Sequence, residues 1–242
     1  MNNKLSITIL LTTLITSSSI ADEVKQNINF GLVNTSGNTK TLNVNGKYDL
    51  AYTTSGLNNE DLKVNFDASA FMTENNSTRD NEEYRANLGL EQFIGNGWLG
   101  YLSANWLKNK FLNFDDKADI GAGMGKELYN DGKQSLKTKL GVAHNWERYY
   151  DNQPDHDFTS LNEYIEYENK ISKTSLFFLK AGALENFDDF DDYEILGSMG
   201  LNFAVAENIS VTLAEEARYD NTPPIGFKKT DTKSIVTVGY HF

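Results

Sequence analysis

His144 has Val142 and Trp146 two positions to either side. Hydroxyl-based nucleophilic catalysis needs a Ser beside the His and an Asn or acid to orient the ring. Here the same-face neighbour is Trp146, and neither His156 nor His241 completes a constellation with His144. The pattern points to an interfacial His beside an aromatic girdle; catalysis is not expected. Asp188, Asp189, Asp191 and Asp192 are dense enough to offer oxygens to a hard divalent cation, but they lack the central Gly and distal Glu of an EF-hand. A solvated, mutually repelling loop is expected there. Calcium or magnesium bridging to anionic lipopolysaccharide is the alternative. There is no Cys, so disulfides, thiol catalysis and Cys-bound metal are excluded. No cofactor is implied.

The remaining chemistry lies in charged residues that recur at every second position. Lys47, Lys63, Asp67, Arg85, Glu91, Asp119, Glu127, Lys137, Lys139, Glu147, Glu166, Lys180, Glu194, Glu216 and Arg218 each alternate with apolar neighbours. Successive side chains of a strand point to opposite faces, so these residues form one polar wall and their neighbours one apolar wall. Gly121, Gly123 and Gly125 share the polar wall. They leave room there, either for a passage or for a long side chain from opposite.

Alternation of this kind runs through the chain. Leu42, Val44, Gly46, Tyr48, Leu50 and Tyr52 oppose Asn43, Asn45, Lys47 and Asp49. Residues 62–72 and 84–94 repeat it. Further strands are expected near 25–33, 98–108, 118–128, 135–147, 160–169, 174–185, 192–204, 208–219 and 231–242. These make about twelve, each long enough to cross a bilayer when tilted. Tight turns fall at Gly95-Asn96-Gly97, Asn130-Asp131-Gly132 and Ala206-Glu207-Asn208. Longer loops are expected at 73–82, 109–117, 148–159, 186–192 and 220–230. They take in the acidic pairs Asp115-Asp116 and Asp155/Asp157. Short turns on one side and long loops on the other is the asymmetry of an outer-membrane barrel, short in the periplasm and long outside. Trp98 and Trp106, eight residues apart, would sit about 20 Å apart along the membrane normal, one in each aromatic girdle. Trp146, Tyr193 and Tyr219 fall near the outer rim. Tyr52, Phe203, Tyr240 and Phe242 fall near the inner one.

The N-terminus reads as an export signal. Lys4 precedes an apolar run from Leu5 to Ile15, and Ser19-Ile20-Ala21 is a small-x-small cleavage site. Residues 1–21 are therefore expected to be removed, leaving a single barrel over 22–242. The formal charge is −12, or −12 − 1 = −13 without Lys4, which argues against nucleic-acid binding. Mean hydropathy is −0.50. No apolar run after residue 21 approaches the roughly 20 residues of a membrane helix.

Two segments carry a family resemblance: Gly31 to Thr39 (GLVNTSGNT), and Pro223 to Thr232 (PPIGFKKTDT) leading into the last strand. With the export signal and length, the chain resembles the YdiY-like salt-induced outer-membrane proteins. The resemblance implies one outer-membrane barrel, no settled activity and a link to salt or osmotic stress. The expectation is an all-β, roughly twelve-stranded antiparallel barrel in the outer membrane of a Gram-negative bacterium, acting as a small porin-like passive channel. The alternative is a plugged structural or surface barrel whose acidic loops engage lipopolysaccharide or divalent cations. Expected partners are outer-membrane lipids, lipopolysaccharide and the barrel assembly machinery, with Tyr240 and Phe242 as the assembly signal.

Overall fold

The computed structural model describes residues 23–36, 41–75, 78–151 and 153–242. The expected export signal, and Gly37 to Thr39 of the first family segment, lie outside them. Twelve strands follow in chain order: β1 (Glu23–Ser36), β2 (Thr41–Ser55), β3 (Asp61–Asn75), β4 (Thr78–Gly95), β5 (Trp98–Asn109), β6 (Phe114–Asn130), β7 (Gln134–Tyr149), β8 (His156–Lys170), β9 (Ser175–Asn186), β10 (Tyr193–Ala206), β11 (Ile209–Asp220) and β12 (Thr230–His241). Each pairs antiparallel with its sequence neighbours, and β1 pairs with β12, so the sheet closes. Closure removes the unpaired edges that an open sheet would expose.

The outward wall is apolar and uncovered. Phe30 is 65% exposed, Ile120 61% and Leu102 55%. Exposed apolar surface on this scale would be an aggregation liability in water; on a barrel it is the lipid-facing band. The aromatics mark its limits. Trp98 and Trp106 both face outward, at opposite ends of β5. Trp106 donates to Asp116 at 2.9 Å, and the Lys126 ammonium lies 4.8 Å from the Trp98 ring. At the other end of the barrel from Trp106, Tyr240 and Phe242 stack edge-on at 5.0 Å.

One end of the barrel carries the short connections and both strand termini, here the turn end. The other carries 110–113 and the longer connections 150–155, 187–192 and 221–229, here the loop end. The strands reach further into the loop end than alternation suggests. The expected loop at 73–82 is almost all strand, and β6 begins at Phe114. Asp115, Asp116 and Asp157 thus belong to strands, not loops. The reason is that strands projecting beyond the bilayer need no apolar outward face. Cross-strand partners hold the acids instead: Lys108 binds Asp115 and Trp106 binds Asp116.

At the turn end, the 131–133 turn is built on one carboxylate. Asp131 accepts from Tyr129 Oη at 2.5 Å and from the backbone N–H groups of Lys133 at 2.8 Å and Gln134 at 2.6 Å. The Tyr129 hydroxyl first, then the two amides, hold its pKa down at about 2. A depressed carboxylate pKa contributes stability that is complete above the unfolded value near 3.8 and lost as pH falls toward 2. We therefore expect Asp131→Asn to lower the stability of the folded barrel at pH 6 and to shrink that difference between pH 4 and 2. Denaturant titrations across that range check this, and a mutant deficit constant over the whole range would contradict it.

Candidate functional site: a charged lumen

The inside of the barrel is defined by contacts that neighbouring strands cannot explain. Lys117 of β6 reaches Glu194 of β10, Lys233 of β12 reaches Glu83 of β4, and Lys137 of β7 reaches Glu91 of β4. In a closed sheet such pairs can meet only across the interior. The polar wall is therefore the lumen wall, and its charges gather into three groups.

Two groups lie toward the loop end. Lys117 pairs with Glu194 and, at 2.6 Å, with Glu147. Arg218 pairs with Glu194 at 2.9 Å and Asp220 at 3.0 Å, and Tyr149 donates to Glu147 at 2.7 Å. Beside them, Glu83 takes Lys233 at 2.6 Å, Arg85 at 2.7 Å and the Asn109 amide at 2.5 Å. The Arg85 contact is off-line for a hydrogen bond and acts as an ion pair. Charges of both signs thus neutralise one another where water is scarce.

An apolar wedge sits among them. The short 3₁₀ turn Lys110–Leu112 joins β5 to β6, and Leu112, Phe114 and Phe71 pack together with Leu107, Tyr149 and Ile235. Phe114 is only 1% exposed. Its ring lies 4.8 Å from the Lys117 ammonium and 5.6 Å from the Arg218 guanidinium, so cation–π attraction ties the wedge to the charges.

The third group lies toward the turn end. Glu91 and Glu166 each bind both Lys137 and Lys139, at 2.8–3.1 Å. Between it and the loop-end groups is a cavity of about 300 Å³, lined by Arg85, Tyr164, Lys180, Ser198, Glu216 and Lys233 among others.

The glycine stripe is filled. A Cβ on Gly123 would lie 2.6 Å from Tyr101, and one on Gly141 would lie 2.3 Å from the Tyr101 hydroxyl. Tyr101 of the adjoining strand lies over both glycines, and Leu99 and Lys139 do the same at Gly125. The room is used by side chains from neighbouring strands rather than left as a passage on this wall. We expect Gly123→Val to destabilise the folded barrel by about 2 kcal/mol or more, since it meets both backbone and a buried ring. Thermal unfolding in detergent measures this; a wild-type transition would show that Tyr101 moves aside freely.

Of the other residues marked in the sequence, Lys63 lies 4.7 Å from the Phe93 ring. Asp119 accepts from Asn105 at 2.9 Å, and Glu127 accepts from Asn130 at 3.0 Å. His144 stacks edge-on against Trp146 at 4.6 Å, and its nearest hydroxyl is Thr159 Oγ1 at 3.4 Å. The Asp188–Asp192 segment uses its acids as turn acceptors. Asp189 takes the Asp191 N–H, while Asp192 takes the Asn186 amide and the Thr222 hydroxyl. Among the described residues no three His, Asp or Glu side chains converge as a metal site.

Alternation alone does not reveal a polar row that crosses eight strands. Paired residues His241, Asn27, Asp49, Asp67, Asn87, Asn105, Asp119 and Asn145 succeed one another from β12 through β1 to β7. Asn87 donates to Asp67 at 2.9 Å, Asn105 to Asp119 at 2.9 Å, and Asn145 to Ser160 at 2.8 Å. The Asn residues were the available signal, recurring at lumen-facing positions, but only the register places them in one row.

The fold agrees with that of known outer-membrane barrels. The NanC porin aligns over 88% of this chain and 98% of its own, with TM-score 0.56 and 8% identity. An outer-membrane channel from Pseudomonas putida F1 aligns over 93% and 97%, with TM-score 0.54 and 10% identity. The outer-membrane phospholipase dimer of Salmonella typhi, solved with bound calcium, aligns over 88% and 90%, with TM-score 0.53 and 13% identity. These likenesses show the fold, that of an outer-membrane β-barrel. No curated protein sequence is detectably similar to the chain. A family model described as "Protein of unknown function, DUF481", the family that takes in the YdiY-like proteins, matches residues 28–242. With the match covering nearly all of the barrel, the chain belongs to that family.

Proposed function

We propose that the barrel is a narrow, passive, porin-like channel in a Gram-negative outer membrane, and that it serves adjustment to salt or osmotic stress. The observation that carries the channel reading is the lumen cavity of about 300 Å³, which charged side chains of both signs, Arg85, Lys180, Glu216 and Lys233 among them, line together with apolar ones. A barrel built only for rigidity gains nothing from leaving ionic groups around a void. The stress link rests on the family resemblance. Tyr240 and Phe242, stacked edge-on at the turn end, are the segment offered to the assembly machinery, and the lipopolysaccharide leaflet surrounds the loop end. No catalytic role is assigned: His144 has an indole and a threonine hydroxyl beside it, without a carboxylate or amide to orient the ring.

Single-channel recording in planar bilayers tests the reading. Small, discrete, voltage-independent conductance steps in potassium chloride are expected. Folded protein that conducts at no salt concentration would sink the channel. That outcome would favour a structural barrel, for which the wedge of Phe71, Leu112 and Phe114 across the loop end is the supporting observation.

A further inference from the structure

Paired lumen residues form a second row, on the opposite half of the barrel from the Asn/Asp row. Glu127, Lys137, Glu166, Lys180, Ser198, Glu216 and Lys233 are successive cross-strand partners from β6 to β12. Glu127 stands near the turn end of its strand and Lys233 near the loop end of its own. Strands in a closed barrel are tilted, so the row climbs the wall from one mouth toward the other. Its signs alternate at every step except Ser198.

That interruption has a chemical consequence. Lys180 would ordinarily be neutralised by its neighbour Glu166, but Glu166 is held by Lys137 at 3.1 Å and Lys139 at 2.8 Å. Glu216 would be neutralised by its neighbour Lys233, but Lys233 is held by Glu83 at 2.6 Å. Among the described residues Glu216 keeps only Arg85 as an ion-pair partner, at 3.6 Å, and Arg85 lies closer to Glu83, at 2.7 Å. Lys180 makes no direct ion pair or hydrogen bond among the described residues, and it is exposed within the lumen. A loosely held acid and an unpaired base thus face the same cavity, one on each side of a serine. Across two strand spacings their Cα atoms are about 10 Å apart.

We propose that Lys180, Ser198 and Glu216 form a mid-lumen binding site for a small zwitterion, a free amino acid or a betaine-type molecule. The carboxylate goes to the Lys180 ammonium, the cationic nitrogen to the Glu216 carboxylate, and the Ser198 hydroxyl bonds the carboxylate between them. A solute of a single sign meets one attractive and one repulsive group there, whereas a zwitterion satisfies both. A cavity of about 300 Å³ is at the small end of ligand pockets and suits a molecule of that size. The charges of the three ion clusters are already matched, so they give a permeating molecule footing without trapping it.

The inference rests on the channel reading and is separable from it. Protein in phospholipid vesicles is compared in swelling assays with glycine, γ-aminobutyrate and the neutral solute erythritol, and for conductance in potassium chloride. The zwitterions are expected to enter about fivefold faster than erythritol, as preferential binding at a constriction gives. Lys180→Gln and Glu216→Gln should each bring that ratio toward one. Absence of both swelling and conductance in folded protein overturns the channel. Conductance with equal entry of zwitterions and erythritol overturns the zwitterion site alone. Lactate binding equal to that of glycine, read by block of potassium chloride current, would overturn it too and mark an anion site. Heat-modifiable migration of each variant on denaturing gels establishes that it has folded. Should Glu216→Gln fail that test, Ser198→Leu, which fills the space between the two charges, is expected to lower the same ratio; an unchanged ratio would overturn the site.

Discussion

Glu194→Ala is expected to lower the stability of the folded barrel by about 3–5 kcal/mol, the cost of breaking a buried ion cluster by removing one partner. Glu194 is the carboxylate shared by Lys117 and Arg218, and all three side chains are at most 12% exposed. Without it, among the described residues Lys117 keeps only Glu147 and Arg218 only Asp220. Each buried cation then loses one of its two carboxylate partners against the low-dielectric wall, with water able to replace it only by opening the loop end. Denaturant titration in lipid vesicles, followed by the three lipid-facing tryptophans, measures the loss. Replacing the whole cluster together, Glu194 and Glu147 by Gln, Asp220 by Asn, and Lys117 and Arg218 by Met, should cost less than Glu194→Ala alone, because no charge is orphaned. A single mutant with wild-type stability would mean that the cluster is fully hydrated and that the loop end is wide.

The second large effect concerns passage rather than stability. Leu112→Ala with Phe114→Ala is expected to raise single-channel conductance about two- to fivefold, by removing most of the apolar wedge from the loop-end constriction. Dewetted apolar narrowings resist ions more strongly than charged ones of equal width, so their removal acts on conductance out of proportion to volume. The wedge is also held from outside itself, by Lys117 and Arg218 over Phe114 and by Lys233 at 5.9 Å from Phe71. Loss of the rings should therefore loosen the neighbouring cations as well. Conductance unchanged in the double mutant, with the barrel shown to be folded, would place the narrowest point elsewhere, at the Glu91–Lys137–Lys139–Glu166 group.

Both predictions depend on residues that the chain reveals unequally. The strands and their two walls are plain from alternation, because a period of two leaves little freedom about which face a side chain takes. Glu91, Lys137 and Arg218 are therefore recognisable as wall residues before any coordinates. That Glu91 meets two lysines from three strands away is not recognisable, because it depends on barrel circumference and tilt. Phe114 is harder still. It lies within the expected loop 109–117 and reads as an ordinary loop aromatic, and only the inward fold of residues 110–113 makes it a wedge. The glycine stripe is readable as space, open or filled from opposite, but not as space filled by Tyr101 of the neighbouring strand. Acids such as Asp115 fall in the loops that strand spacing predicts, although a strand above the bilayer tolerates them.

The row of asparagines and aspartates has a consequence for how wide the molecule can be. A sheet of twelve strands can close with different staggers, and each stagger gives a different tilt and radius. Sliding one strand by two residues keeps every side chain on its proper face, so alternation offers no defence against it. The Asn105–Asp119 pair does, because the slide would set Asn105 opposite Lys117 or Gly121, neither of which has a side chain that can accept its amide proton. Interior hydrogen bonding thereby acts as a registration key at the β5–β6 seam. Fixing the stagger there constrains the bore of the barrel from its inner wall, through a short amide rather than through the lipid-facing residues.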